Sequence, residues 1–235
     1  MNIIITYDDN LYNSKLCANH GFSCIIKHPE RTILFDTGGD GEILLGNMGR
    51  LGIIPGEIDA VFLSHVHHDH VGGLVSFLNR NSIVTVYLPA SFPQSLKDEI
   101  QARGAKLEEV SRAEEIIPGI FTTGELDGVI KEQSLIVRSP SGLVVITGCA
   151  HPGVVKIIRT AKDKVPSETV YLVIGGFHLL EASSAQIQTI ISSFMQLVVT
   201  KVAPCHCSGE ETRKLFQEQY GKDYIEIGVG KRIAL

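Results

Sequence analysis

The chain lacks a basic stripe, a long apolar run and an even set of cysteines, and each absence removes a class of function. Its 21 Lys and Arg are scattered against 26 Asp and Glu, for a net charge of −5, so the electrostatic footprint that nucleic-acid binding requires is missing. Nucleic acid is not an expected partner. The opening Met1-Asn2-Ile3-Ile4-Ile5-Thr6-Tyr7-Asp8-Asp9 has no basic region ahead of its apolar run, and the run is too short for a signal-peptide core or a membrane span. The expectation is a cytoplasmic protein with no membrane partner. Five cysteines, Cys17, Cys24, Cys149, Cys205 and Cys207, argue by their odd number against a disulfide framework and for reduced thiols. Cys205-His206-Cys207 looks metal-like, but its two thiols do not have the C-x-x-C spacing of a structural zinc knuckle, and no second pair completes four ligands. Solenoid repeats, low-complexity tracts and a Pro/Gly/Ser-rich linker are also missing.

What is present is a chain of 235 residues, 44% apolar and 20% charged, enough for one large domain or two fused half-domains. A single domain over residues 1–235 is expected. Apolar, β-branched runs of strand length recur at Asn2–Thr6, Ser23–Lys27, Thr32–Phe35, Ala60–Leu63, Val84–Leu88, Leu107–Val110, Ile120–Thr123, Ser134–Arg138, Leu143–Thr147, Val170–Ile174 and Val198–Ala203. The turns His28-Pro29-Glu30-Arg31 and Ser139-Pro140-Ser141-Gly142 suit antiparallel hairpins and imply largely antiparallel or mixed sheets. Helix-like windows fall at Gly73–Asn79, Pro93–Arg103, Gly153–Lys164, Ser183–Leu197 and Glu210–Tyr220. Ser183 with Gln186 three residues on reads as a capping box. Strands and helices in two successive groups favour an α/β fold, a four-layer αββα sandwich, over a doubly wound parallel sheet.

The chemistry concentrates after the fourth apolar run. In Phe62-Leu63-Ser64-His65-Val66-His67-His68-Asp69-His70-Val71-Gly72-Gly73 a strand runs straight into five ionisable groups. Histidines at i and i+2 on an extended segment point the same way, so His65 and His67 can share one metal. Where the chain turns into a helix, Asp69 and His70 can reach a neighbouring metal while His68 faces away. Gly72-Gly73 supplies the small volume such a turn needs. An adventitious surface histidine cluster is the alternative, and the position at a strand end weighs against it. Three further histidines, His151, His178 and His206, sit in small-residue loops after later strands. A two-metal centre needs about two of them as donors.

His65-Val66-His67-His68-Asp69-His70 has the H-x-H-x-D-H signature of the metallo-β-lactamase superfamily, which the chain resembles over nearly its full length. Leu34-Phe35-Asp36-Thr37-Gly38 is similar to that superfamily's strand-turn, whose Asp supports the site from behind; as an alternative, Asp36 caps the Thr37-Gly38-Gly39 turn. His206 sits where the late histidine ligand is expected. Segments His20-Gly21-Phe22-Ser23, Thr147-Gly148-Cys149-Ala150-His151-Pro152-Gly153, Gly175-Gly176-Phe177-His178-Leu179 and Cys205-His206-Cys207-Ser208-Gly209 resemble the subgroup related to 7,8-dihydropterin-6-ylmethyl-4-(β-D-ribofuranosyl)aminobenzene 5′-phosphate synthase. The superfamily's Gly-His-Thr-Pro-Gly loop and its Thr-Gly-Asp strand end are not intact. Cys149 stands at the bridging-carboxylate position, as a thiolate ligand or as a small buried thiol, and His151 is the candidate for the missing ligand of the first metal. Gly176 and His178 read either as an anion-binding or substrate-positioning turn or as an ordinary glycine turn; His20 carries the same ambiguity.

The resemblance implies two divalent metal ions, zinc by default with manganese or iron as alternatives, held by His65, His67 and His151 and by Asp69, His70 and His206. It implies a metal-activated hydroxide, with Asp69 as the catalytic carboxylate. Three functions follow: hydrolysis of a small anionic or ester-like molecule, transfer from dihydropterin diphosphate to an aryl nucleophile, or a non-enzymatic metal-holding ligand sensor. Diiron oxidoreductase chemistry is weakened by His67 where a glutamate is usual, lactamase activity by the altered middle loop, and nuclease activity by a length that leaves no room for an inserted domain. A small pterin-like or phosphorylated molecule and a homodimer are the expected partners.

Overall fold

The computed structural model describes residues 1–166 and 168–235, which form two units, Met1–Ser111 with Gly228–Leu235, and Arg112–Ile227. The first contains strands β1 (Asn2–Tyr7), β2 (Ser23–Lys27), β3 (Thr32–Phe35), β4 (Ala60–Phe62), β5 (Thr85–Pro89) and β6 (Lys106–Val110). Its helices are α1 (Gly41–Arg50), α2 (His68–Val71), α3 (Leu74–Leu78) and α4 (Gln94–Ala102). The strands lie side by side in chain order, with the last strand of the chain, Arg232–Ala234, on the β1 edge. β1 to β3 pair antiparallel and β3 to β6 parallel. Ile4, Leu34, Val61 and Val86 pack with Leu44, Met48, Leu74 and Phe77 into the core of this unit.

The second unit contains β7 (Glu114–Ile117), β8 (Ile120–Thr122), β9 (Leu135–Ser139), β10 (Gly142–Thr147), β11 (Val170–Gly176) and β12 (Lys201–Cys205), with α5 (Val154–Lys164), α6 (Ser184–Gln196) and α7 (Glu210–Tyr220). β7 to β10 are antiparallel neighbours, and β10, β11 and β12 run parallel. Val145, Val173 and Val202 meet Ile157, Ile187 and Phe216 in its core. Phe177, Phe194 and Phe216 have ring centroids 5.1 to 5.6 Å apart, and burying each such ring contributes about 1.5–3 kcal/mol. The capping box of α6 is present: Gln186 N donates to Ser183 Oγ, and Ser183 N to Gln186 Oε1 at 2.8 Å.

The α/β class, the two mixed sheets and both hairpins agree with the sequence reading, and a doubly wound parallel sheet is excluded. Several element ends move by one to three residues; the largest shift is at β12, which starts at Lys201 because Val198 takes a left-handed φ of 58°. The sequence reading lacked α1, β7 and the last strand, and the helix it expected at Asp69-His70 is the four-residue α2. α1 carries Gly46 and Gly49 inside it, which lowers helix propensity, and it forms because Asp40 accepts the N–H groups of Glu42 and Ile43 at 2.8 and 3.0 Å. β7 is a Glu-rich edge strand, half exposed. Among the described residues, no helix is long and apolar enough to cross a membrane.

Parallel pairing places strand ends together. Phe35 registers with Phe62, so Asp36 and Ser64 leave β3 and β4 at the same edge of their sheet. In the second unit Thr147 registers with Gly175, and Gly176 with Cys205. The loops beginning Gly148, Phe177 and His206 therefore leave that sheet along one edge, where sites in parallel sheets are built.

Candidate metal centre

In the first unit the chain leaves β4 through Leu63-Ser64 and turns into α2 with His67 at its N-cap. Gly72 makes the turn close enough: a Cβ there would lie 2.4 Å from the Gly39 carbonyl oxygen. The rings of His65 and His67 have centroids 4.8 Å apart, and those of His65 and His70 4.2 Å apart. Asp69 Oδ2 lies 3.4 Å from His70 Nε2. His68 points out and is exposed. His65, His67, Asp69 and His70 thus form one cluster of three imidazoles and a carboxylate.

Asp36 organises this cluster from beneath. Its Oδ1 accepts the Ser64 N–H at 2.7 Å, and its Oδ2 accepts the Ser64 hydroxyl at 2.7 Å and lies 2.7 Å from His70 Nδ1. The Asx-turn alternative is replaced by this arrangement. Ser64 Oγ is also 2.9 Å from His65 Nδ1, so one carboxylate and one hydroxyl hold the Nδ1 sides of two rings and set Nε2 as their outward nitrogen. Burial pushes the Asp36 carboxyl up, against the pull of His70 and Ser64. His20 joins from the β1–β2 connection: its Nδ1 is 3.1 Å from Asp9 Oδ2 and its Nε2 3.4 Å from Asp69 Oδ2.

The second unit supplies its own cluster. Glu132, only 1% exposed, accepts the N–H groups of Cys149 and Ala150 on Oε1, at 3.0 and 2.8 Å, and that of His151 on Oε2 at 2.9 Å. The same Oε2 lies 2.8 Å from His151 Nδ1. This carboxylate fixes the Cys149–His151 loop, including Ala150 at a left-handed φ of 63°, and orients the His151 ring. The His178 ring lies 4.5 Å from the His151 ring, centroid to centroid. His206 is buried in a short 3₁₀ turn after β12, at φ 47°.

Cys207 Sγ lies 3.6 Å from the Cys149 carbonyl oxygen. One donor atom from each of Cys149, His178 and Cys207 lies within 4.8 Å of the other two. Hydrogen bonds from Cys149 and His178 hold the Cys207 thiol well below its ordinary range, and the Cys207 thiol raises His178. The Gly176 N–H is already engaged by the Gly148 carbonyl at 3.0 Å, and the Phe177 N–H by Ser208 Oγ at 3.1 Å. These two N–H groups are thus engaged within the protein, and Gly176 leaves room for Cys207 by its lack of a side chain. Sequence reasoning missed Glu132, Ser64, Asp9 and the pairing of Cys207 with His178. Nothing in Lys131-Glu132-Gln133 distinguishes a buried acid from an exposed one.

The donors fit a metal. Imidazoles whose Nδ1 faces a buried carboxylate, as in Asp36 with His70 and Glu132 with His151, are the arrangement in which Nε2 coordinates a cation. Comparison with known proteins points the same way. The family described as the metallo-beta-lactamase superfamily matches residues 19–173. A 7,8-dihydropterin-6-methyl-4-(beta-D-ribofuranosyl)-aminobenzene-5′-phosphate synthase of Methanocaldococcus jannaschii is 30% identical, over 94% of this chain and 92% of its own. The solved structure of Tm1679, a metal-dependent hydrolase of the β-lactamase superfamily, superposes with a TM-score of 0.85 at 29% identity, covering 100% of this chain and 99% of that one. The fold of a metallo-β-lactamase fold protein from Bacillus subtilis matches with a TM-score of 0.73 at 13% identity, over 99% of both chains.

Proposed function

Because the chain belongs to the metallo-β-lactamase superfamily, we propose that it is a metal-dependent transferase that joins a dihydropterin, activated as its diphosphate, to an aryl nucleophile. Support for the substrate class comes from the synthase relative, which matches along nearly the whole length of both chains. The observation that carries the chemistry is the cluster of His65, His67, Asp69 and His70 set on Asp36 and Ser64. His65, His67 and His151 would hold one divalent cation, and Asp69, His70 and His206 a second, with zinc the metal of choice for imidazole-rich donors. Such a pair, when bound, supplies Lewis acidity that polarises phosphoryl oxygens and lowers the pKa of water.

The protein's own groups do the rest. Asp36 and Glu132 fix the ring orientation of His70 and His151 through Nδ1. Asp69 takes the proton of the attacking nucleophile. His178, exposed at the lip of the Gly176 turn, binds the anionic part of the substrate, and His20 holds Asp69 in place from its far side. In the transfer, the bond from the pterin methylene carbon to the diphosphate oxygen breaks, a bond from that carbon to the aryl nucleophile forms, and diphosphate leaves with the electron pair.

A second reading, hydrolysis of a small anionic ester, is favoured by the likeness to the metal-dependent hydrolase Tm1679. Metal-loaded protein is incubated with dihydropterin diphosphate, with and without an aminobenzene acceptor, and both diphosphate and coupled product are quantified. Coupled product formed only with acceptor supports transfer. Diphosphate released equally without acceptor selects hydrolysis, and release of neither from fully loaded protein contradicts the pterin substrate.

A further inference from the structure

The second unit contains a donor set that the proposed centre does not absorb. Cys149 leaves the end of β10, His178 follows β11 and Cys207 follows β12, so three parallel strands deliver two sulfurs and an imidazole to one place. Their donor atoms lie within 4.8 Å of one another. A tetrahedral zinc with Zn–S bonds of about 2.3 Å and a Zn–N bond of about 2.05 Å sets its sulfurs about 3.8 Å apart and sulfur and nitrogen about 3.6 Å apart, so a contraction of about 1.2 Å at most closes the set. The surrounding backbone is shaped for it. A Cβ on Gly176 would lie 2.6 Å from Cys207 Sγ and 3.2 Å from Cys149 Cα, so only glycine leaves room for the pair. Glu132 fixes the Cys149 main chain, and His178 is held at a φ of 53°, a conformation histidine adopts more readily than most residues.

Beside this set lies a cavity of about 740 Å³ walled by Leu180, Ile190 and Glu181 together with His178 and Cys207 themselves. Three protein ligands and one open position facing a cavity is the pattern of a reactive rather than a purely structural zinc site. Two thiolates and an imidazole select thiophilic cations over magnesium or calcium.

We propose that Cys149, His178 and Cys207 bind a thiophilic divalent cation of the zinc class, with the fourth coordination position open to this cavity. Both sulfurs bind as thiolates, so binding releases the proton of any thiol that still carries one. The site bears on the proposed function at one residue: with the cation bound, His178 meets the anionic part of the substrate through the open coordination position rather than directly.

The test uses full-length protein, stripped of metal and kept reduced with a phosphine, titrated with cobalt(II) and followed by its thiolate-to-cobalt charge-transfer absorption. The parent is expected to show the absorption of two thiolates, Cys207→Ser to lose half of it or more, and His178→Ala to weaken cobalt binding at this band by about tenfold or more. Both variants are checked by thermal melting. In the parent itself, zinc is expected to slow alkylation of Cys149 and Cys207 by about tenfold while leaving the exposed Cys17 unaffected. No thiolate band, a band unchanged in Cys207→Ser, or alkylation of Cys207 indifferent to zinc overturns the proposal. Metal retained by the His178→Ala/Cys207→Ser double variant is metal held without these two donors, so loss of the thiolate band with that metal kept, or the reverse, tells failure of this proposal from failure of the proposed function.

Discussion

Glu132 Oε2 lies 2.8 Å from His151 Nδ1, and the same buried carboxylate accepts the N–H groups of Cys149, Ala150 and His151. One acid therefore sets both the path of the loop and the ring of its histidine. The relation repeats that of Asp36 and His70 at 2.7 Å in the other unit.

Glu132→Gln turns an NH₂ group towards N–H donors that now meet a carboxylate. Leaving those donors unsatisfied costs about 1–3 kcal/mol, and losing the support behind His151 lowers metal affinity about 10- to 100-fold. Thermal melting of the metal-free protein and a competition titration with a chromogenic chelator measure the two effects. Parent-like metal affinity in the variant removes Glu132 from the account.

The absence of a side chain at Gly176 yields a second expectation. A Cβ would approach the Gly148 carbonyl oxygen to 2.4 Å and Cys207 Sγ to 2.6 Å, and backbone on one side leaves little to yield. Gly176→Ala is expected to destabilise the fold by about 1–3 kcal/mol, read by urea denaturation. Unchanged stability shows that β11 and the Cys149 loop can separate, contrary to the tight packing seen here.

Tyr220 gives the clearest pH dependence. Its hydroxyl is buried with no hydrogen-bond partner among the described residues, and burial pushes its pKa from 10.0 to about 12. The folded state disfavours the phenolate, so the contribution is fully present below the unfolded value of 10.0 and is lost as pH rises towards about 12. Tyr220→Phe removes this loss: its melting temperature falls less between these pH values than that of the parent. At neutral pH the variant is as stable as the parent or slightly more so, since an unpaired buried hydroxyl is removed. Parallel alkaline curves for the two proteins contradict the assignment.

The sheets were legible in the sequence because β-branched runs such as Ser23–Lys27 and Thr32–Phe35 are short, apolar and bounded by turns, and both match the strands residue for residue. α1 was hidden by its glycines, of which Gly41 serves packing, since a Cβ there would lie 2.2 Å from Ser76 Oγ, while Gly46 and Gly49 only lower the helix propensity. The first donor cluster was legible because its four members are contiguous. Glu132 was not, since its partners are 17 to 19 residues away along the chain and its burial depends on the course of the β8–β9 connection. Cys207 was read within Cys205-His206-Cys207, although its neighbours Cys149 and His178 come from other strands, and only the parallel register of β10, β11 and β12 brings them together.

If the histidine and aspartate donors hold a pair of divalent cations, counting bound zinc shows it. The measurement is zinc per chain in the His178→Ala/Cys207→Ser background, after chelation, reloading and desalting, with and without His206→Ala. Two equivalents, falling to one when His206 is lost, are predicted. A background protein that retains no zinc, or that retains the same amount without His206, would contradict the account.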